Sequence, residues 1–339
     1  MPEASALTGA ATAAAVALQR GIPLEPRPFA ALARSVGLSE DVLLSEIARL
    51  RGDGKVRRFG AVFDARRMGW RSSLCAASVP PKDIEKVAAE LVPISGVTHC
   101  YERVPHGSPR LAPDSAELPR VPNLWFTLAS PSDCFGAAFM DVEYRLHPHF
   151  VRELPALRRF KVDVVFGVES RERDENVECG KQLAPEELSV VRALQGDTEA
   201  RPDYFAAIAE KAGTTEWKLL ATLEMWRRSG RLKRIGLLLA HRKAGWTHNG
   251  MCCWRFDGPD ATAVGRALAA RVEVTHCYER PKSSEFPYNL FAMIHCRSAE
   301  EADSAFASLD ETVADAAGAR LAHAMLVSTR EFKKTSLVF

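Results

Sequence analysis

The strongest constraint on this chain is that it contains one unit written twice. The six residues Thr98-His99-Cys100-Tyr101-Glu102-Arg103 recur unchanged as Thr275-His276-Cys277-Tyr278-Glu279-Arg280, 177 residues later. Upstream, Arg58-Phe59-Gly60 and Gly69-Trp70 answer to Arg234-Ile235-Gly236 and Gly245-Trp246 at an offset of 176. Downstream, Asn123-Leu124-Trp125 answers to Asn289-Leu290-Phe291, where the offset falls to 166, so the first copy carries an insertion between Arg103 and Asn123. Pro105, Gly107, Pro109, Pro113, Pro119 and Pro122 lie in it and predict neither helix nor strand there. Two copies of one unit in one chain can bury the same surfaces that two subunits of a dimer would. The expectation is a fused pseudo-dimer, with further self-association left open.

Each copy opens with a helical module. Residues 29–36, the turn Gly37-Leu38 and residues 40–51 read as helix, turn, helix, with Ser39 as the N-cap and Gly52-Asp53-Gly54 as the stop. A strand over 55–63 follows, and 204–240 repeats the order. This is a winged helix-turn-helix pattern. In the first copy the segments 71–79, 81–91, 96–104, 122–129, 133–146 and 158–166 then alternate as β-α-β-β-α-β, the ferredoxin-like order. The predicted fold class is α+β, a tandem repeat of the two modules. The expected boundaries are winged helix-turn-helix 1–63, αβ domain 64–168, a charged linker 169–185, winged helix-turn-helix 186–240 and αβ domain 241–339.

Charge and composition exclude several classes. Lys and Arg number 45 against 43 Asp and Glu, so no large excess of positive charge calls for a polyanionic partner. No apolar run approaches the ~20 residues of a membrane span. The Ala-rich stretch from Ala10 to Leu18 lacks a basic segment before it and reads as a first helix, not a signal peptide. A cytoplasmic location is expected. The eight cysteines show no C-x-x-C spacing and sit mostly in apolar runs, which predicts free buried thiols. Direct DNA readout needs Arg, Lys, Asn or Gln on the second helix of the helix-turn-helix. That helix instead starts Ser39-Glu40-Asp41 and continues to Glu46, and its second copy begins Thr214-Thr215-Glu216-Trp217-Lys218. Carboxylates there repel phosphate, so DNA is not an expected partner.

Strand alternation picks out the chemistry. Side chains two apart share a face, which groups His99, Tyr101 and Arg103 and sends Thr98, Cys100 and Glu102 the other way. His276, Tyr278 and Arg280 group in the same way. On the neighbouring strand Asn289, Phe291, Met293 and His295 share a face, as do Asn123, Trp125 and Thr127 in the first copy. Such a face suits an anionic ligand, because Arg offers forked donors to carboxylates while His and Tyr can exchange protons. The competing reading is a satisfied polar network where the two copies meet.

A winged helix-turn-helix followed by a small αβ domain resembles the Lrp/AsnC transcription regulators. The combination of Arg57-Arg58-Phe59-Gly60-Ala61, the His-Cys-Tyr-Glu-Arg strands, Asn123 to Leu128 and Pro287 to His295 resembles a more specific family of that architecture, the siroheme decarboxylases. Their two related subunits would here be fused. The resemblance implies conversion of siroheme to 12,18-didecarboxysiroheme, two ring acetates becoming methyl groups on the route to haem d1 or, alternatively, haem b. The remaining alternative is a DNA-binding or haem-sensing regulator. A flat, carboxylate-fringed substrate asks for several Arg residues and aromatic walls. The expected catalytic set is His276, His99, Tyr278 and Tyr101. The expected substrate-binding set is Arg280, Arg103, Arg58, Arg234, Asn289, Tyr288, His295, Asn123 and Trp125. No separate cofactor is expected, since the substrate brings its own iron, to which His276 or His99 could bind instead of delivering a proton. The second copy keeps the fuller polar set and is the expected working half. His147 and His149 are expected at the surface, while His106 and Arg110 in the inserted loop have no assignable role.

Overall fold

The structure is a computed structural model that describes residues 9–110, 121–162, 180–239, 248–283 and 285–339. The segment 169–179 of the expected linker and residues 240–247, where the second copy passes from one module to the next, fall outside those residues. The chain forms two compact units, each drawn from both copies: residues 1–69, 180–245 and 338–339 make one, and 70–179 with 246–337 make the other.

The first unit is helical around a small sheet. From the first copy come α1 (Gly9–Arg20), α2 (Pro28–Ser35), α3 (Glu40–Gly52) and β1 (Val56–Phe63); from the second come α6 (Pro185–Gln195), α7 (Tyr204–Ala212), α8 (Glu216–Arg228) and β7 (Leu232–Leu239). Ser39 caps α3 as expected, its Oγ accepting from the Val42 amide at 3.3 Å. β1 and β7 pair antiparallel with Gly60 opposite Gly236, so the two wings make one sheet between them. The repeated Arg-x-Gly motif has a packing cause. A Cβ on Gly60 would lie 2.5 Å from the Gly196 carbonyl oxygen, and one on Gly236 would lie 2.3 Å from that of Leu18. Each glycine thus admits backbone from the other copy. Phe29, Phe59 and Tyr204 pack beneath, with ring centroids 5.6–6.0 Å apart.

The second unit is a nine-stranded sheet in the order β5-β2-β4-β3-β11-β8-β10-β9-β6. Its elements are β2 (Trp70–Ala77), α4 (Ile84–Leu91), β3 (Val97–Arg110), β4 (Leu124–Pro131), α5 (Phe135–Leu146), β5 (Val151–Leu154) and β6 (Arg158–Val162) from the first copy. The second copy adds β8 (His248–Arg255), α9 (Thr262–Ala270), β9 (Val274–Glu279), β10 (Leu290–Cys296), α10 (Ala299–Ala317) and β11 (Ala322–Lys334). Each copy contributes four strands in the ferredoxin-like arrangement, β5-β2-β4-β3 and β11-β8-β10-β9. Alternation sorts their side chains. Cys75, Cys100, Leu124, Phe126 and Leu128 join the α4/α5 core, and Cys252, Trp254, Cys277, Leu290 and Ala292 join the α9/α10 core. Ala76, Trp125, Leu154, Met251, Cys253, Tyr288, Phe291, Ala324 and Leu326 from the opposite faces meet in a third, shared core.

Two expectations are corrected. The closing strand expected at 158–166 does not complete its own copy's sheet: β5 takes that place, and β6 crosses to pair with β9 of the second copy. The inserted loop is extended at its start, because β11 supplies a partner for Val104, Pro105 and His106. Prolines are tolerated there because pairing with β4 ends at Glu102 and the Arg103 amide, leaving one side of β3 without a ladder beyond them among the described residues. Residues 111–120 lie outside the described set.

The crossing of β6 leaves a testable mark. Phe160 on β6 lies against α9, and a Cβ on Gly265 would sit 2.3 Å from its ring. Gly265→Ala is therefore expected to destabilise the fold by about 1–3 kcal/mol through overpacking, despite the ~1 kcal/mol helix preference of Ala over Gly. Urea unfolding measures it; an unchanged or raised midpoint would contradict the contact.

Among the described residues no helix is long and apolar enough to cross a membrane. The described cysteines are free thiols, all buried except Cys134.

Candidate functional site

The His, Tyr and Arg of each identical hexapeptide lie on the inner faces of β3 and β9, the side opposite Cys100 and Cys277, with Arg103 and Arg280 just past the pairs that join their strands to β4 and β10. In each row the rings follow one another, His99 to Tyr101 at 6.2 Å and His276 to Tyr278 at 6.3 Å between centroids. The Arg103 guanidinium lies 5.5 Å from the Tyr101 ring centre. That of Arg280 lies 4.6 Å from Tyr278 and 5.6 Å from Phe291. Both cations are buried, at 5% and 8% exposure. Arg103 bonds the Leu326 carbonyl and Arg280 lies by the Phe291 ring, both members of the shared core, so the two guanidiniums border one interior.

These guanidiniums are poorly compensated. Arg103 donates to the Leu326 carbonyl at 3.4 Å, and Arg280 donates to that of Leu154. Neither pairs with a carboxylate among the described residues, and the Arg280 Nε is buried without a hydrogen-bond partner there. Burial pulls both pKa values down to about 10, which leaves both groups charged at neutral pH. A buried charge without a counter-ion costs several kcal/mol, so such a pair is expected where an anion is bound. Arg159, carried in by β6 opposite Tyr278, depresses the Arg280 pKa further and adds a cation to the second row.

A buried aromatic cluster lies beside Arg280. Phe286 sits 5.4 Å from Trp125, 5.0 Å from Tyr288 and 6.0 Å from Phe291. Trp125 donates its indole N–H to the Pro122 carbonyl at 2.6 Å. Tyr288 is 1% exposed, and burial pushes its hydroxyl up to about 12. His295 is half-buried on β10, opposite Asn249 of β8.

Other expected residues lie elsewhere or do other work. Asn123 bridges the Val79 amide and carbonyl at 2.9 and 2.8 Å, and Asn289 does the same for Phe256 at 2.8 and 3.1 Å. Both ends of each amide hold backbone at the strand entry, which explains their repetition without a ligand. Arg58 and Arg234 stand on β1 and β7 of the helical unit, where Arg58 donates to the Ala61 carbonyl. Burial lowers the Arg58 pKa to about 10, and Arg234 lines a cleft of about 420 Å³ with Arg20, Arg227 and Lys233. His106 contacts Asp303 at 2.8 Å. His147 is exposed and His149 half-buried at the end of α5.

Sequence reasoning missed two kinds of residue. Arg159 and Phe286 reach the site through a strand crossing and a loop that no local pattern announces. Thr98 and Thr275, expected to point away, are instead the extra residues of two equivalent β-bulges. Val97 pairs with Leu128 and His99 with Thr127, while Val274 pairs with Ile294 and His276 with Met293. The bulges bring each hydroxyl to the Nδ1 of the following histidine, at 2.9 and 3.0 Å. Their identity in both hexapeptides was the available signal.

Comparison with known proteins matches this architecture. A family described as the AsnC-like ligand binding domain matches residues 67–161 and 243–333, and one described as the siroheme decarboxylase NirDL-like HTH domain matches 16–57. The siroheme decarboxylase of Hydrogenobacter thermophilus is 34% identical over 95% of this chain and 92% of its own length. The siroheme decarboxylase beta subunit of Desulfovibrio desulfuricans is 35% identical over 47% of this chain and 97% of its own length. A crystal structure of the siroheme decarboxylase NirDL in co-complex with an iron-uroporphyrin III analogue superposes with a TM-score of 0.69 at 31% identity, covering 95% of this chain and 92% of that one.

Proposed function

The chain belongs to the siroheme decarboxylases, and from that membership we propose that it converts siroheme to 12,18-didecarboxysiroheme, acting as a carboxy-lyase with the work of two related subunits joined in one polypeptide. The observation that carries the reading to particular residues is the pair Arg103 and Arg280. Two buried guanidiniums without carboxylate partners among the described residues border one shared aromatic core, each in a row with a tyrosine and a half-buried histidine.

Each catalytic event breaks the bond between an exocyclic carbon and its carboxylate carbon, releasing carbon dioxide. The electron pair passes into the conjugated macrocycle, and a proton added to the same carbon completes the methyl group. Arg280 and Arg103 hold carboxylates of the substrate through charge-assisted hydrogen bonds. Trp125, Tyr288, Phe286 and Phe291 present apolar walls to the flat ring system. His276 and His99 are the groups able to deliver the proton or to bind the iron that enters with the substrate, with Tyr278 and Tyr101 beside them to orient or relay. The second row is the favoured working row, since Arg159 adds a cation beside Arg280. The winged helices act as structure, not as readers of DNA.

Anaerobic incubation of the purified chain with siroheme, without added cofactor, is expected to yield a product lighter by two carbon dioxide units in mass analysis. Intact siroheme together with salt-sensitive retention of duplex DNA would replace this function with a regulator's. A stoichiometric but unreacted complex would indicate a tetrapyrrole sensor.

A further inference from the structure

The two Thr-His steps are alike in sequence and differ in hydrogen bonding. At the second bulge the Thr275 Oγ1 donates to the Met293 carbonyl oxygen at 3.2 Å while lying 3.0 Å from the His276 Nδ1. A hydroxyl has one proton to give. With that proton directed at a carbonyl, which can only accept, the oxygen meets Nδ1 as an acceptor, and Nδ1 must carry the ring proton. Thr98 contacts the His99 Nδ1 at 2.9 Å without a second hydroxyl acceptor among the described residues, so its proton stays available to the ring.

We propose that Thr275 is a positioning residue that fixes the tautomer of His276, placing the neutral ring's proton on Nδ1 and its electron pair on Nε2. The buried hydroxyl, on a residue 8% exposed, is held in place by the bulge. A neutral His276 is then an electron-pair donor through Nε2, suited to the Lewis-acidic iron of a metallated tetrapyrrole, and it must gain a second proton before it can act as an acid there. Thr98 imposes no such constraint on His99. One chain therefore presents two differently held imidazoles from identical hexapeptides. This assignment of work, though not the tautomer itself, rests on the reading that His276 meets the substrate.

The test is ring ¹⁵N NMR of histidine-labelled full-length protein, at a pH where the ring is neutral, with the His276 signal assigned by its loss in His276→Ala. The wild-type ring is expected as the Nδ1–H tautomer. Thr275→Val, which keeps shape but removes the hydroxyl, should move it toward Nε2–H. Thr275→Ser should restore Nδ1–H, and Thr98→Val should leave it unaltered. A wild-type ring already in the Nε2–H form, or a Val variant that keeps Nδ1–H, overturns the proposal. Siroheme titration of His276→Ala is run alongside. Unchanged affinity, visible spectrum and turnover of siroheme in that variant would together overturn the placement of His276 against the substrate, while the NMR result would still decide the role of Thr275.

Discussion

His276→Ala is expected to fold, to bind siroheme, and to lose decarboxylation by ~10²-fold or more, the usual scale of a positioned proton-transfer group. The side chain is half-buried on the inner face of β9 and belongs to none of the three apolar cores. Removing it therefore opens no large cavity in them, and the carboxylate-holding Arg280 stays in place. Turnover and binding should separate cleanly in this variant. If the ring binds the substrate's iron, the bound spectrum shifts as well. His99→Ala is expected to be milder, because the residue opposite Tyr101 is the acidic Glu331, where the second row has Arg159 opposite Tyr278. Normal turnover by the His276 variant beside a dead His99 variant would move the working centre to the first row. Normal turnover by both would leave these histidines without a chemical role.

Much of this was readable from the residues because it depends on local periodicity or on the repeat. Cap and turn residues predicted the paired helices, and α3 begins where Ser39 said it would. Period-two alternation put His99, Tyr101 and Arg103 on one face and Cys100 on the other, since a strand permits nothing else in the absence of a bulge. What escaped was non-local. Nothing in Arg158-Arg159-Phe160 says which half of the sheet the strand will join, because the space against Gly265 that receives Phe160 lies in the other copy. The bulges at Thr98 and Thr275 escaped because the extra residue depends on the register of the facing strand. Asn123 and Asn289 pose a related problem. A polar residue repeated at a strand entry can bind a ligand or brace a backbone, and only the structure distinguishes the two.

Arg280→Met is expected to raise the stability of the ligand-free protein and to weaken its hold on siroheme. The guanidinium is buried, donates to the Leu154 carbonyl, leaves its Nε without a partner among the described residues, and has Arg159 near enough to repel it. Exchanging a buried, uncompensated charge for an apolar side chain of similar length is neutral or stabilising by about 1–4 kcal/mol. The same exchange removes a charge-assisted contact of about 1.5–3 kcal/mol to a substrate carboxylate. At about 1.4 kcal/mol per tenfold, that is a loss of roughly 10- to 100-fold in affinity. Lys in place of Met should recover only part of it, because a point charge cannot replace a two-pronged donor. Urea unfolding and spectroscopic titration of the same preparation measure the two effects. A protein at once less stable and unchanged in affinity would mean that Arg280 is a structural residue. Opposite signs in the two measurements are what an anion site built at the expense of the empty fold requires.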